Sequence, residues 1–320
     1  MLALATPENG GMMSGIDAPA ASDSSSPDIN LEEMCRRIAV QPPYFAFRRL
    51  RAGAPGEIYG EFVAEQPLGH EAGPITAAEV GRHLAILGSC AAAQTHRDRV
   101  YYLAVHARYV RLREPLATVQ DQLLYARARV TQLDRRSLAV QAHVFAGSPF
   151  AQLSVRYQVL SEPLFDRMFA EYKNENDFIE ASDSSPYAQV VPLRFETPST
   201  SQLTAHSGQL SVHECSGHFP HYPAWPVAIV AYCTFQVLSR LLDYLRGSVS
   251  SYDVMTVQLT AHKLIASTTA VSFVVTCIGE DANSHCFDFN CDVVANGAVV
   301  AELRTSVRVS VAGGITMTDR

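Results

Sequence analysis

The sequence predicts an α+β fold made of two similar units, each a long central helix wrapped by a curved antiparallel sheet. Three observations predict it. Each half holds one helix-length stretch that is apolar nearly all round, residues 77–94 and 227–244, and a helix without a polar face is normally buried. Each stretch is followed by four strand-like runs with no helix between them, the order expected of an antiparallel sheet closing on a helix. Landmarks also recur at a near-constant offset. Gly69-His70 and Gly217-His218 lie 148 residues apart, Tyr101 and Tyr252 lie 151 apart, and residues 151–157 and 301–307 lie 150 apart.

In chain order, residues 1–30 are rich in Gly, Ala, Ser, Pro and Met and read as a disordered leader. The first unit is expected over 31–160. It opens with a short helix at 31–40, where Asn30 is the cap and Glu33 completes a capping-box pattern. Strands are expected at 44–51 and 57–66, then the buried helix, then strands at 100–112, 121–132, 138–145 and 151–160. Residues 161–204 read as a linker, with a helical piece at 162–172 and an exposed polar stretch from 174 to 185. The second unit is expected over 205–320. It has a strand at 209–214, the second buried helix, and strands at 252–262, 270–279, 285–295 and 299–311.

Composition bounds the function classes. The 320 residues are 48% hydrophobic and 18% charged, enough to bury a core in roughly two domains and unlike a disordered, collagenous or coiled-coil chain. A net charge of −7 gives no argument for nucleic-acid binding. The most apolar run, 224–237, is shorter than the ~20 residues of a membrane span. Residues 1–7 lack a basic segment ahead of an apolar run, so no secretory signal is read there. The seven cysteines are odd in number and irregularly spaced, which fits reduced thiols and a cytoplasmic location.

The most specific motif is Gly217-His218-Phe219-Pro220-His221-Tyr222-Pro223-Ala224-Trp225-Pro226. It resembles the His-Phe-Pro-Gly-x-Pro-x-x-Pro-Gly loop of bacterial 3-hydroxyacyl-carrier-protein dehydratases, which are hotdog-fold enzymes. His218, Phe219, Pro220, Pro223 and Pro226 stand at the family's spacing, and Gln236 matches a helix Gln of that family. With the duplication, the resemblance covers about residues 57–311 and implies a double hotdog, the arrangement of polyketide-synthase dehydratase domains. It implies a 3-hydroxyacyl thioester substrate carried by an acyl-carrier protein or CoA, in fatty-acid or polyketide assembly. Phe219, Pro220, Pro226 and Gln236 would then contact substrate, no cofactor would be needed, and a homodimer is left open.

The sequence departs from that family where it matters chemically. The family's helix Asp or Glu, 14 residues after the loop His, is Tyr232 here; aligned through Pro74, its counterpart in the first half is His83. The family's two glycines are His221 and Val227. Because the His of one unit faces the helix of the other in this fold, the resemblance implies two pairs: His218 with His83, and His70 with Tyr232. Dehydration needs a base for the α-proton and an acid for the leaving hydroxyl. A neutral His suits the first, and Tyr232 or a protonated His83 could supply the second. Two rivals stay open: a hotdog thioesterase, and a non-catalytic acyl-binding protein.

Two other clusters have plain readings. His213, Glu214, Cys215, His218 and His221 are residue types that suit zinc, but strand alternation would split them between two faces, so no metal is expected. Arg97, Arg99, Arg108, Arg111, Arg113, Arg127, Arg129, Arg135 and Arg136 could dock an acidic carrier protein, or simply form a solvated sheet face.

Overall fold

A computed structural model of the chain describes residues 27–95, 98–113, 123–174, 185–281 and 283–310. Most of the expected leader, segment 175–184 of the expected linker, and Arg97 lie outside the described residues.

The helices start where the side chains permit. Asn30 Oδ1 accepts the Glu33 N–H at 2.9 Å and opens α1 (Leu31–Ile38). Thr76 Oγ1 accepts the Glu79 N–H at 3.1 Å and opens α2 (Ala77–Ala93), which is buried on nearly every face, as its composition predicts. A third helix, α3, spans Glu162–Met168. The fourth, α4 (Val227–Arg246), runs for 20 residues and stops at Gly247, whose φ of 66° the absence of a Cβ makes inexpensive. Helix α4 is long and apolar enough to cross a membrane, but most of it is buried inside the fold, as a core helix is.

In the first half the strands are β1 (Arg49–Ala52), β2 (Glu57–Val63), β3 (Val100–Arg111), β4 (Leu123–Leu133), β5 (Ser137–Ala146) and β6 (Ser148–Ser161). In the second half they are β7 (Arg194–Phe195), β8 (Gln202–Ser207), β9 (Tyr252–Ala261), β10 (Val271–Asp281), β11 (Cys286–Ala295) and β12 (Ala298–Val309). All pair antiparallel in one sheet of order β1-β2-β4-β5-β6-β3-β9-β12-β11-β10-β8-β7. The halves repeat one order, β2-β4-β5-β6-β3 and β8-β10-β11-β12-β9, outward edge to inner edge. They meet edge to edge where β3 pairs β9, from His106 opposite Thr260 to Val110 opposite Thr256. That pairing satisfies two sheet edges that would otherwise be open. Helices α2 and α4 touch each other and pack on the strands of their own halves.

Two sequence expectations give way. The expected strand at 44–51 is regular only at β1, from Arg49. The expected strand at 209–214 is absent, and His213–Cys215 forms a 3-10 turn instead. Its cause is local. The Ser211 N–H donates to Glu214 Oε2 at 2.7 Å, and Ser211 Oγ accepts the Glu214 N–H at 3.3 Å, the reciprocal pattern of a helix start. The second half's first two strands, β7 and β8, both begin inside the region read as linker.

Candidate active site

The loop that carries His218 is pinned by its backbone. Gly217 has φ of 80°, and a Cβ there would lie 2.1 Å from the Gln41 carbonyl oxygen, so only glycine fits. Gly217 O accepts the Gln41 N–H at 2.9 Å, and the His218 N–H donates to Cys215 O at 3.1 Å. His221, where the resembling family has Gly, has φ of 69°, which explains the glycine that family uses.

His218 is buried, and its Nδ1 stands 3.4 Å from the Ala224 carbonyl. A carbonyl only accepts, so Nδ1 carries the proton and Nε2 keeps its lone pair. Burial holds the imidazole down at about 4, leaving it neutral near pH 7. Tyr44 meets the ring edge-on and Phe219 lies beside it, at centroid distances of 4.9 and 4.3 Å.

His218 and Phe219 line a cavity of about 350 Å³, within the roughly 300–1,000 Å³ usual for small-ligand sites. The cavity lies between the helices and the seam of the sheet. Its wall includes Ala78 and Ala85 of α2, Ala228 and Phe235 of α4, and Val155 and Leu303 of the strands. Among the described residues no carboxylate lines it. The first residues of α4, Val227 and Ala228, reach it, and Pro226 at the cap position gives that helix no side-chain cap. The Tyr44 hydroxyl oxygen lies against the Ala228 N–H; burial raises this phenol to about 12 and keeps it protonated.

The other predicted site residues fall elsewhere. His83 does not face His218. It stacks on Phe62 at 3.9 Å, meets Phe47 edge-on, and its Nε2 lies 3.4 Å from Glu79 Oε1. The two buried helices begin 150 residues apart, at Ala77 and Val227, so the counterpart of Tyr232 is position 82. One residue is about 100° of helix turn, and that step puts Arg82 on the cavity wall and His83 in the core. Tyr232 is buried off the cavity wall, and no hydrogen bond or ring contact joins it to His70 among the described residues. His70 is partly exposed, with Nδ1 3.4 Å from Asp243 Oδ2. Pro220 is not on the cavity wall, Pro226 caps α4, and Gln236 Nε2 donates to Val191 O at 3.4 Å instead of reaching the cavity.

Glu71 accounts for the difference between the two helix ends. Its buried carboxyl oxygen accepts the Ala77 N–H at 2.7 Å, filling the start of α2, whereas among the described residues no carboxyl caps the start of α4. Burial pushes this carboxyl up to about 8, against the pull of Ala77 N–H and Arg111. At α4 the Ala228 N–H meets the Tyr44 hydroxyl, so a ligand carbonyl at that helix end would meet Tyr44, while the end of α2 is held by Glu71. Neither Glu71 nor Arg82 stands out in sequence. Glu71 follows a flagged His, and Arg82 precedes one by a single residue. Tyr44 is brought in by chain folding alone.

Three arginines of the cluster are committed within the fold, and Arg108, Arg129, Arg135 and Arg136 are exposed. Arg127 pairs with the buried Glu57, Arg111 Nη2 lies 3.1 Å from Asp253 Oδ1, and Arg99 Nη1 lies 3.2 Å from Glu162 Oε1. Of the candidate zinc ligands, His218 faces the cavity; among the described residues no three His, Cys, Asp or Glu side chains are grouped to hold a metal.

No protein-family model and no curated protein matches the sequence. Solved structures do match. A TesB protein of Mycobacterium avium subs paratuberculosis is 13% identical, with 82% of this chain and 96% of that chain covered and a TM-score of 0.54. A protein of unknown function with a hotdog fold from Alicyclobacillus acidocaldarius is 12% identical over 85% and 99%, with a TM-score of 0.51. A protein of Thermobifida fusca YX assigned as a thioesterase II is 15% identical over 85% and 100%, also with a TM-score of 0.51.

The fold is the hotdog fold.

At these identities the likeness is one of fold alone. Of these three hotdog structures none is described as a dehydratase, so the dehydratase half of the motif resemblance gains no support from them.

Proposed function

We propose that this double hotdog is an acyl-thioester hydrolase, acting on acyl groups carried by CoA or an acyl-carrier protein. The observation that carries the reading is His218: a neutral imidazole with a free Nε2, at an apolar cavity with no carboxylate in its wall among the described residues, beside the start of α4 and the Tyr44 hydroxyl. In this reading Nε2 takes a proton from water as the oxygen attacks the thioester carbonyl. Charge then develops on the carbonyl oxygen, where the α4 N-terminus and the Tyr44 O–H stabilise it. The C–S bond breaks, and the departing thiolate takes the proton back from the imidazolium.

Hydrolysis needs no second acid. Dehydration does, and neither His83 nor Tyr232 lines the cavity. The assignments of the similar Mycobacterium and Thermobifida structures point the same way. The test is incubation with saturated and 3-hydroxyacyl CoA thioesters, followed by thiol titration and mass spectrometry. Free thiol and free acid support hydrolysis. Loss of 18 Da from the 3-hydroxyacyl substrate without thiol release supports dehydration, and no change supports binding alone.

A further inference from the structure

Hydrolysis by His218 would leave one buried charged group in the cavity wall unused. Arg82, on the α2 face that lines the cavity, is 3% exposed. Its guanidinium carbon lies 4.7 Å from the Tyr187 ring centroid and 5.6 Å from that of Tyr44, so two aromatic faces hold it in place. Tyr44 is the ring that meets His218. Arg82 therefore stands at the His218 end of the cavity. The other basic residues of the wall, His262 and Lys263, are exposed at the surface.

We propose that this cavity holds a free fatty carboxylate, with its head group on Arg82 and its chain along the apolar wall. For the choice of ligand this rests on the acyl-thioester reading, since hydrolysis would release that acid. Three observations carry it. Arg82 Nη2 is committed to Glu65, but Nε has no partner although it is buried. An unmet donor on a buried cation is costly, and it marks a place for an acceptor. The nearby carboxylates do not compete from within the cavity. Glu65 and Glu79 are absent from its wall, and Glu79 is tied to the N–H groups of Glu65 and Gln66 at 2.8 and 3.0 Å. The wall along α2 beside Arg82 is mostly apolar, with Ala78, Gly81, Ala85 and Ile86, which suits an alkyl chain with one oxygen-bearing end.

The experiment is calorimetric titration of the intact protein with dodecanoate and, separately, dodecanol, which share a chain but not a charge. The wild type is expected to bind dodecanoate at least about tenfold more tightly. Arg82→Gln leaves Glu65 without its cation, so the paired Arg82→Gln/Glu65→Gln variant is measured beside it, with melting curves to confirm folding. The paired variant is expected to bind the two ligands equally, and Arg82→Lys to recover part of the preference. Equal binding of both ligands by the wild type overturns the proposal, as does a preference that survives in the paired variant. Thiol release from acyl-CoA is scored separately. Hydrolysis without dodecanoate preference overturns this proposal alone, whereas dodecanoate preference without hydrolysis of any acyl-CoA overturns the hydrolase reading alone.

Discussion

Tyr44 stands edge-on to His218, ring planes at 68° and centroids 4.9 Å apart, although the two residues belong to opposite halves of the chain. The contact fixes the plane of the imidazole, and the Ala224 carbonyl fixes its tautomer. A base so held is expected to dominate the rate. His218→Ala should lower kcat/KM for acyl-CoA hydrolysis by about 10²–10⁴, with the far-ultraviolet dichroism of the wild type retained. Full activity in a folded His218→Ala protein removes His218 from the mechanism.

The pH dependence follows from the burial of that imidazole. A base held at about 4 stays neutral and competent down to that pH. The acid limb of kcat/KM should therefore fall near pH 4 and not near the ordinary 6.5. A limb at 6–7 in a profile measured with an uncharged acyl chain would show that another group controls the rate.

Glu71 links pH to stability. Its carboxyl is raised in the folded state, so folding favours the protonated form. The contribution is complete below the unfolded value near 4.5 and is lost as pH rises through about 8. Ala77 N–H and Arg111 favour the charged form, and desolvation, helped by Asp253 and Glu79, outweighs them. Glu71→Gln keeps an acceptor for the Ala77 N–H and removes the charge. Thermal melts should show it close to wild type at pH 5 and more stable at pH 9. The opposite order at pH 9 would mean that Arg111 compensates the charge.

Gly217→Ala tests the loop geometry. The new Cβ would meet the Gln41 carbonyl oxygen at 2.1 Å and the Tyr44 N at 2.8 Å, in a backbone conformation that alanine disfavours. A loss of more than about 1 kcal/mol in chemical denaturation is expected, along with loss of activity because the His218 loop must shift. Unchanged stability would show that the loop adopts a different path.

Tyr232→Phe should leave the hydrolysis rate within about twofold of wild type, because the hydroxyl lies off the cavity wall. A hundredfold fall in initial rate would return Tyr232 to the chemistry as a proton donor.

Much of the fold was legible because its signals are local. The two apolar helices, the strand runs after them and the recurring offset near 150 all appear in the structure, since composition and alternation report burial directly. His218 and Phe219 were legible through a motif. The rest of the site was not, for two reasons. The loops before the two helices differ in length, seven residues from His70 to Ala77 against nine from His218 to Val227, and alignment through Pro74 slipped by one position. On a helix that slip exchanges a cavity residue for a core residue, His83 in place of Arg82. Tyr44 and Glu71 act through contacts between distant segments, and no periodicity encodes those. Ser211 and Glu214 show the converse, a local capping pair overriding an alternating stretch, Leu210 and Val212 between polar residues, that reads as a strand.

The halves are joined by the hydrogen bonds of the β3–β9 seam and, because they belong to one polypeptide, by the chain itself. A symmetric pair of identical units would carry every substitution twice, once in each pocket. A tandem chain is free of that constraint. Glu71 can close one helix end with a carboxyl while Tyr44 sets a hydroxyl at the other, and neither arrangement is imposed on its counterpart. The expected stoichiometry is accordingly one acyl group per chain, where a symmetric dimer of single units would hold two.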